Sequence, residues 1–458
     1  MSIFDSARNQ LINWLLDGFN TEMQKRSEFV LTRREYRVGS QKRQLAVRQN
    51  KFDDNIVLNF TGLIVSRSVS NLFGGGVKFI LPNGDESPEA VWLNTCWSAN
   101  NQEITLHRVG TYGTESGTCF VKIVPDGAVG SDGKTYPRLI VLDPATVTVD
   151  TMPEDVEVPI RYTIQFNIIG FDGKEVARKQ VVELDDTNRW TITDYQAGQS
   201  TGGHWQIMGE TMVWGFDFPP IIHWHNLPAV GVYGQPDITE DVIELQDRIN
   251  FIAGNQSKII RMAAHPIIKA VGIRKGESEF IDTAPGNMLP VPVGGDLGYL
   301  EPSTDITKSL EYVRFLRQAL FDITQQVDLD TLGDKLGSLT NFGLKVLFAD
   351  AVSRIHTKQE LYGAALIELN RRMLVIGGFA GDAGSIQWGE WLPESEQEES
   401  NAIKQDMELG LVSKETAATM RGYDYQHEKE LMAAEQVQTD NVGAALLRAF
   451  NRGGGANA

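Results

Sequence analysis

Residues 237–376 constrain the fold more than any other part of this chain. Two long helical patterns flank a short module rich in Pro and Gly. A Gly-punctuated loop then leads into a third pattern of about ten turns without a proline. The run carries no recognisable catalytic spacing. It has the form of a structural element that spans a large distance, which points to an assembly component rather than an enzyme.

Each pattern has readable boundaries. Asp237-Ile238-Thr239-Glu240 has the Asp-x-x-Glu form of an N-cap with a returning acid. Ile238, Ile243, Leu245, Ile249, Ile252 and Ile260 follow at helical spacing, and the helix is expected to stop before His265-Pro266. Residues 267–302 form a compact insert with β-like pieces at 267–271, 279–281 and 288–293, broken by Pro285-Gly286 and Gly294-Gly295. A second helix is expected over 305–327 and a loop over 328–340. A third helix over 341–376 carries Leu344, Leu347, Phe348, Ala351, Ile355, Tyr362, Leu366, Leu369 and Met373 on one stripe.

The N-terminal half alternates helices and short β-rich runs. An amphipathic helix is expected over 3–19, then a basic stretch: Lys25, Arg26, Arg33, Arg34, Arg37, Lys42, Arg43, Arg48 and Lys51 face only Glu22, Glu28 and Glu35. This stretch reads first as a solvated arm pairing with the acidic surface of a neighbouring subunit, and second as a contact with DNA. Helices are expected over 55–70, stopped by Gly74-Gly75-Gly76, over 89–100, and over 105–112 as a continuation. Strands are expected at 77–81, 119–124, 138–142, 160–166, 181–184 and 190–195, in an α/β body with an antiparallel sheet. An acidic break at 394–399 precedes short helices at 401–409 and 414–421, a polar helix near 426–438 and a Gly-rich tail, expected to be disordered.

Composition narrows the function. At 458 residues the chain holds roughly three ordinary domains. Its net charge of −18 disfavours a broad grip on nucleic acid, although an acidic protein can let DNA pass without holding it. The two cysteines, Cys96 and Cys119, argue for a reducing compartment. No secretory signal and no stretch near the ~20 apolar residues of a membrane span is visible, so a soluble, multidomain, cytosolic protein without membrane contact is expected.

Chemical motifs are sparse. Gly133-Lys134-Thr135 resembles the end of a phosphate loop, but Ala128 stands where a glycine is required, and a hairpin turn fits better. Gly74-Gly75-Gly76 lacks the dinucleotide-binding spacing. His223-Trp224-His225 puts two imidazoles on one strand face, either as a metal pair without a third ligand or as two polar strand residues. There is no GxSxG elbow and no HExxH pair. No catalytic residue, metal or cofactor is assigned.

Gly234-Gln235-Pro236-Asp237-Ile238, followed by Leu245-Gln246-Asp247-Arg248-Ile249-Asn250, resembles the Gly-x-x-Asp-Ile…Leu-x-Asp-x-x-Asn signature of the portal proteins of tailed bacteriophages. Gly337-Ser338-Leu339-Thr340-Asn341-Phe342-Gly343-Leu344-Lys345 resembles that family's Gly-x-x-Ser-Gly-x-Ala-Leu-Lys, with Thr340, Asn341 and Gly343 replacing Ser, Gly and Ala. Leu72-Phe73-Gly74 and 410–416 agree in order. The resemblance implies an α+β portal architecture. Residues 1–52 would be an N-terminal helix and basic arm, 53–236 an α/β wing, 237–264 and 304–327 the two stem helices, and 265–303 the clip. Residues 328–340 would be the tunnel loop, 341–392 the long wing helix, and 393–458 a crown with the tail.

It further implies a ring, usually of twelve copies, at one capsid vertex of the virion, assembled in the host cytoplasm. Double-stranded DNA would enter and leave through it. The clip would dock the terminase large subunit and then the head–tail adaptor, and major capsid and scaffolding proteins would surround the ring. Carried over by position, Asp328, Asp330, Gly333, Asp334, Lys335, Gly337, Thr340 and Asn341 belong to the tunnel loop and channel. Asp237, Asp247, Arg248, Asn250, Arg314 and Arg317 belong to the stem, and Arg274, Lys275 and Glu277 to the clip. Acids outnumber Lys335 in the loop, which suits a conduit through which DNA slides. The rival readings are another virion adaptor, or a phosphoryl- or nucleotidyl-transfer enzyme with carboxylates in the α/β body.

Overall fold

Arginine-to-acid pairs tie the first described helix to the body, and from there the α+β fold is built in three apolar clusters. The computed structural model describes residues 21–45, 53–169, 173, 175–197, 204–264, 267–271, 294–300, 306–328, 341–391 and 396–432. The expectations for 3–19, the 46–52 part of the basic stretch, 272–293, 329–340, the 394–395 part of the acidic break and the tail beyond 432 lie outside them; residues 396–399 of that break are helical instead. The chain divides into two units, residues 1–337 with 346–391, and 338–345 with 392–458.

The basic stretch is not a free arm. Thr21–Val38 is helix α1. Arg34 forks onto Asp143 at 2.7 and 2.8 Å and also reaches Glu115 at 2.7 Å; Arg37 reaches the other Glu115 oxygen. Arg33 donates to the Ile238 carbonyl and to Glu240, and Arg26 donates to the Ser116 carbonyl while lying over the Tyr233 ring. Burial lowers Arg26 to about 10. A fully buried Glu115 needs cations around it, so these charges serve the chain's own interior; Lys25 and Lys42 are exposed. The expectation of an arm for a neighbour or for DNA is corrected for Arg26, Arg33, Arg34 and Arg37.

Helix α2 is Phe60–Phe73, five residues later than expected, because Asn59 caps it by accepting from the Gly62 amide while 53–59 is irregular. It stops at Gly74, as the three glycines imply. Pro88–Ala99 (α3) and Gln102–Ser116 (α4) are separate helices, since Asn101 takes a left-handed φ of 50° between them. Gly117 ends α4 at φ +81°.

All described strand pairings are antiparallel. β1 (Val77–Ile80) pairs with β13 (Ser385–Trp388). β2 (Thr118–Val129), β3 (Thr135–Leu142) and β10 (Ile221–His225) make one sheet in the order β10-β2-β3, with Gly133 in the turn that Asp132-Gly133 announced. A larger sheet runs β4 (Val147–Met152), β5 (Asp155–Ile169), β6 (Glu175–Leu184), β7 (Trp190–Ala197) and β8 (Gln206–Ile207), and β9 (Met212–Val213) also pairs with β7. Alternating residues such as Val147, Val149, Tyr162, Ile164, Val182 and Ile192 fill its inner face with Phe120 and Ile221.

Two rods follow. Glu240–Ala264 is α5 and Ile306–Ile323 is α6. β11 (Ile267–Val271) pairs with β12 (Asp296–Leu300) between them, the latter strand not expected from the sequence. The second rod ends at Ile323 rather than 327, the chain turning at Thr324-Gln325. The long helix is broken: α7 is Asn341–Leu347 and α8 is Ala349–Ile376, with Phe348 between. α8 contributes Tyr362, Leu366, Leu369 and Met373 to the largest apolar cluster, beside Leu93, Trp97 and Cys119. The second cluster joins Ile64 and Val65 of α2 to Ile238, Val242 and Ile249, and to Leu316, Leu320 and Phe321 of α6.

In the C-terminal unit, Glu396–Glu408 is α9 and Lys414–Met420 is α10, capped by Ser413 accepting from the Thr416 amide; residues 425–432 are helical.

Candidate functional site

The site is the pair of rods and the polar anchor at their root. Asp237 lies just before α5 and is 2% exposed. One carboxylate oxygen accepts from Lys358 Nζ and from Ser68 Oγ, each at 2.7 Å. The other accepts from Asn226 Nδ2 at 3.0 Å and from Arg354 at 3.1 Å. Tyr362 donates to the Asn226 side-chain oxygen at 3.1 Å. The network joins α2, the end of β10, the start of α5 and α8.

Burial alone would raise the Asp237 carboxyl. The Lys358 and Arg354 charges, with hydrogen bonds from Lys358 and Ser68, reverse that and hold it well below the carboxylate range. Burial also draws the Lys358 ammonium below its usual value, against the pull of Asp237. The capping-box expectation for Asp237 is therefore corrected. Its carboxylate turns into the body, and α5 begins at Glu240.

The closeness of the packing around this anchor requires glycine. A Cβ on Gly113 would sit 1.9 Å from the Tyr362 hydroxyl, and one on Gly117 would sit 2.0 Å from the Gly234 carbonyl oxygen. Gly117 also holds a positive φ that disfavours any side chain.

Further along α5, polar residues bind the irregular segment before α2. Asn250 accepts from the Leu58 amide at 2.9 Å and Gln246 donates to the Leu58 carbonyl at 2.6 Å. Tyr36 donates to Asp247 at 2.7 Å. Asp237, Asp247 and Asn250, all expected on the stem, are thus held by their own chain. Arg248 and Arg314 are exposed. Arg317 pairs with Asp328 at 2.6 Å and stacks over Phe60, joining residues expected separately on the stem and the tunnel loop.

Asn341 opens α7. Asp330, Gly333, Asp334, Lys335, Gly337, Thr340, Arg274, Lys275 and Glu277 lie outside the described residues.

The sequence analysis missed Lys358, Ser68, Asn226 and Glu115. A signal existed for Lys358: it falls at i+3 from Ile355 and four before Tyr362, so a charge stands on the apolar stripe of α8. His223 and His225 do share a face of β10, with ring centroids 5.5 Å apart. His225 Nε2 meets the Val232 carbonyl at 3.0 Å, and burial pushes His223 down to about 3. Among the described residues no group of three or more His, Cys, Asp or Glu side chains could hold a metal ion, and no helix is long and apolar enough to cross a membrane.

Solved structures of gene transfer agent particles are similar to this chain. The neck of an empty particle, computed with C6 symmetry, matches at 13% identity and a TM-score of 0.50, over 86% of this chain and 99% of that one. The virion of a native particle matches at 14% identity and a TM-score of 0.43, over the same shares of the two chains. At such identities the 0.50 match speaks to the fold alone. No curated protein matches the sequence. The family model described as "Phage portal protein, SPP1 Gp6-like" matches residues 26–441. The chain therefore belongs to the SPP1 Gp6-like family of phage portal proteins.

Proposed function

We propose that copies of this chain close into a ring at one capsid vertex, the conduit for double-stranded DNA during packaging and ejection. Twelve copies is the number expected from the family resemblance. The observation that carries this reading is the pair of rods. At ~1.5 Å per residue, α5 with its 25 residues is about 37 Å long. It is rooted in the body by a sealed ion-pair network, and its partner α6 leaves Tyr312, Phe315 and Ile323 in solvent. A rod anchored at one end with apolar side chains left uncovered is suited to walling a channel among neighbours.

On this reading residues 53–236 and 341–392 are the wing, α5 and α6 the stem, 265–303 the clip, 328–340 the tunnel loop and 393–458 the crown. The clip, with Arg274, Lys275 and Glu277, docks the terminase large subunit and then a head–tail adaptor. Lys335 is the tunnel-loop cation nearest the DNA, and major capsid and scaffolding proteins meet the ring's outside. The chain is non-catalytic, the energy of packaging coming from the terminase.

The test is ATP hydrolysis by the purified chain alone and with a cognate terminase. Turnover that needs the terminase supports the reading; robust turnover by the chain alone refutes it.

A further inference from the structure

The face that α5 turns to the body does not end where the body ends. Val242, Ile249 and Asn250 are sealed, and the same face runs on through Ala253, Gln256 and Ile260. There the start of α6 and the irregular segment before α2 leave a groove of about 540 Å³. It is lined by Ile56, Leu58, Ala253, Ile260, Leu310 and Val313. Ile260 and Leu310 are 55% and 48% exposed. Gln256 lies in the groove, 7% exposed, and its side-chain oxygen accepts no hydrogen bond. Apolar side chains left uncovered along a concave surface give the groove the character of half a contact.

A second apolar surface lies on the other side of α6. Tyr312, Phe315, Ala319 and Ile323 follow at i, i+3, i+7 and i+11, one stripe of a helix. The Tyr312 and Phe315 rings lie nearly parallel, 14° apart in plane with centroids 6.3 Å apart, and Phe315 is 63% exposed. Val313 in the groove and Phe315 on the stripe are about 160° apart around the helix. Slot and ridge therefore sit on opposite faces of one rod at the same level, 310–315. Heterologous contacts that close into a ring without axial rise require that placement; an isologous contact would set like surfaces against each other.

We propose that the Tyr312–Phe315 ridge of one copy seats in the Ile260–Leu310 groove of the next. The occupant of the groove is a second copy of this chain. The inference rests on the ring reading above and adds which surfaces close the ring.

The experiment compares the full-length wild type, Phe315→Asp and the double variant Tyr312→Cys/Ile260→Cys. Because Phe315 is exposed, Phe315→Asp should keep the wild-type circular dichroism spectrum. It should raise the concentration at which rings form more than about tenfold, as loss of an aromatic anchor does. Under mild oxidation the double-cysteine variant should give a ladder of covalent multimers on a denaturing gel, with Cys96 and Cys119 buried and out of competition. Rings from the wild type together with undiminished rings from Phe315→Asp and no ladder would overturn this inference and leave the ring reading standing. The same result is expected if the chain's own residues 3–19 fill the groove. A wild type that stays monomeric at every concentration would overturn both.

Discussion

Lys358 Nζ lies 2.7 Å from the Asp237 carboxylate with both side chains sealed from solvent, so a buried ion pair, seconded by Arg354 at 3.1 Å, joins the root of the first rod to the long helix. The attachment is polar, directional and bonded to α2 and to the end of β10 as well.

Removing one partner of that pair should be costly. Lys358→Met leaves Asp237 buried with only Arg354 as a cation, and breaking a buried pair typically costs about 3–5 kcal/mol. Urea unfolding of the variant should show a loss of that order, with a smaller loss for Lys358→Met combined with Asp237→Asn than the two single losses added. A strictly additive result would show that the pair is not energetically coupled.

His223 sets a pH window. Burial lowers its imidazole to about 3 in the folded chain, whereas an unfolded histidine titrates near about 6.5. The unfolded state therefore gains a proton first as pH falls. The contribution is fully present above about 6.5 and is lost on the way down to the folded value, at no more than about 1.4 kcal/mol per pH unit. His223→Phe should remove this component. Its stability relative to wild type should rise steadily from pH 7 to pH 4; a constant difference would contradict the assignment.

Gly117 should tolerate no side chain. Its φ of +81° and the Gly234 carbonyl 2.0 Å from an added Cβ both oppose Gly117→Ala. The strained backbone alone should cost about 1–3 kcal/mol, read as a lower urea midpoint. An unchanged midpoint would show that the segment around Gly234 yields freely.

How much of this was legible in the sequence follows from the range of each interaction. β1, β2, β3, β5, β6 and β7, the Asp132-Gly133 turn and the glycine stop after α2 were readable because alternation and turn chemistry are local, whereas β4, β12 and β13 were not expected. The start of α2 was misplaced because the expected helix included Asn55, whose side chain bonds Leu45 and Asp53, and passed over Asn59 as the cap. Asp237 looked like a cap because its partners stand 121 and 169 residues away along the chain, beyond any local spacing. The arginines of α1 looked like a free arm for the same reason: Glu115 and Asp143 come to them only through the fold. The family signature caught the order of elements but not which of its residues face inward.

Deleting residues 272–295 should abolish binding of the terminase or of the adaptor while leaving the body folded, because the clip is proposed as the docking module. Pull-down with each partner, beside the circular dichroism spectrum, checks it; retained binding would remove the docking role. In the same assembly system Lys335→Ala should impair packaging or DNA retention more than ring formation, and normal packaging would remove Lys335 from the channel.

The central claim is that these rods surround a hole. Negative-stain images of the purified full-length chain, viewed down the particle axis, test it most directly. Closed rings of identical subunits with a stain-filled centre are the expected result, and solitary compact particles at high protein concentration would contradict the account.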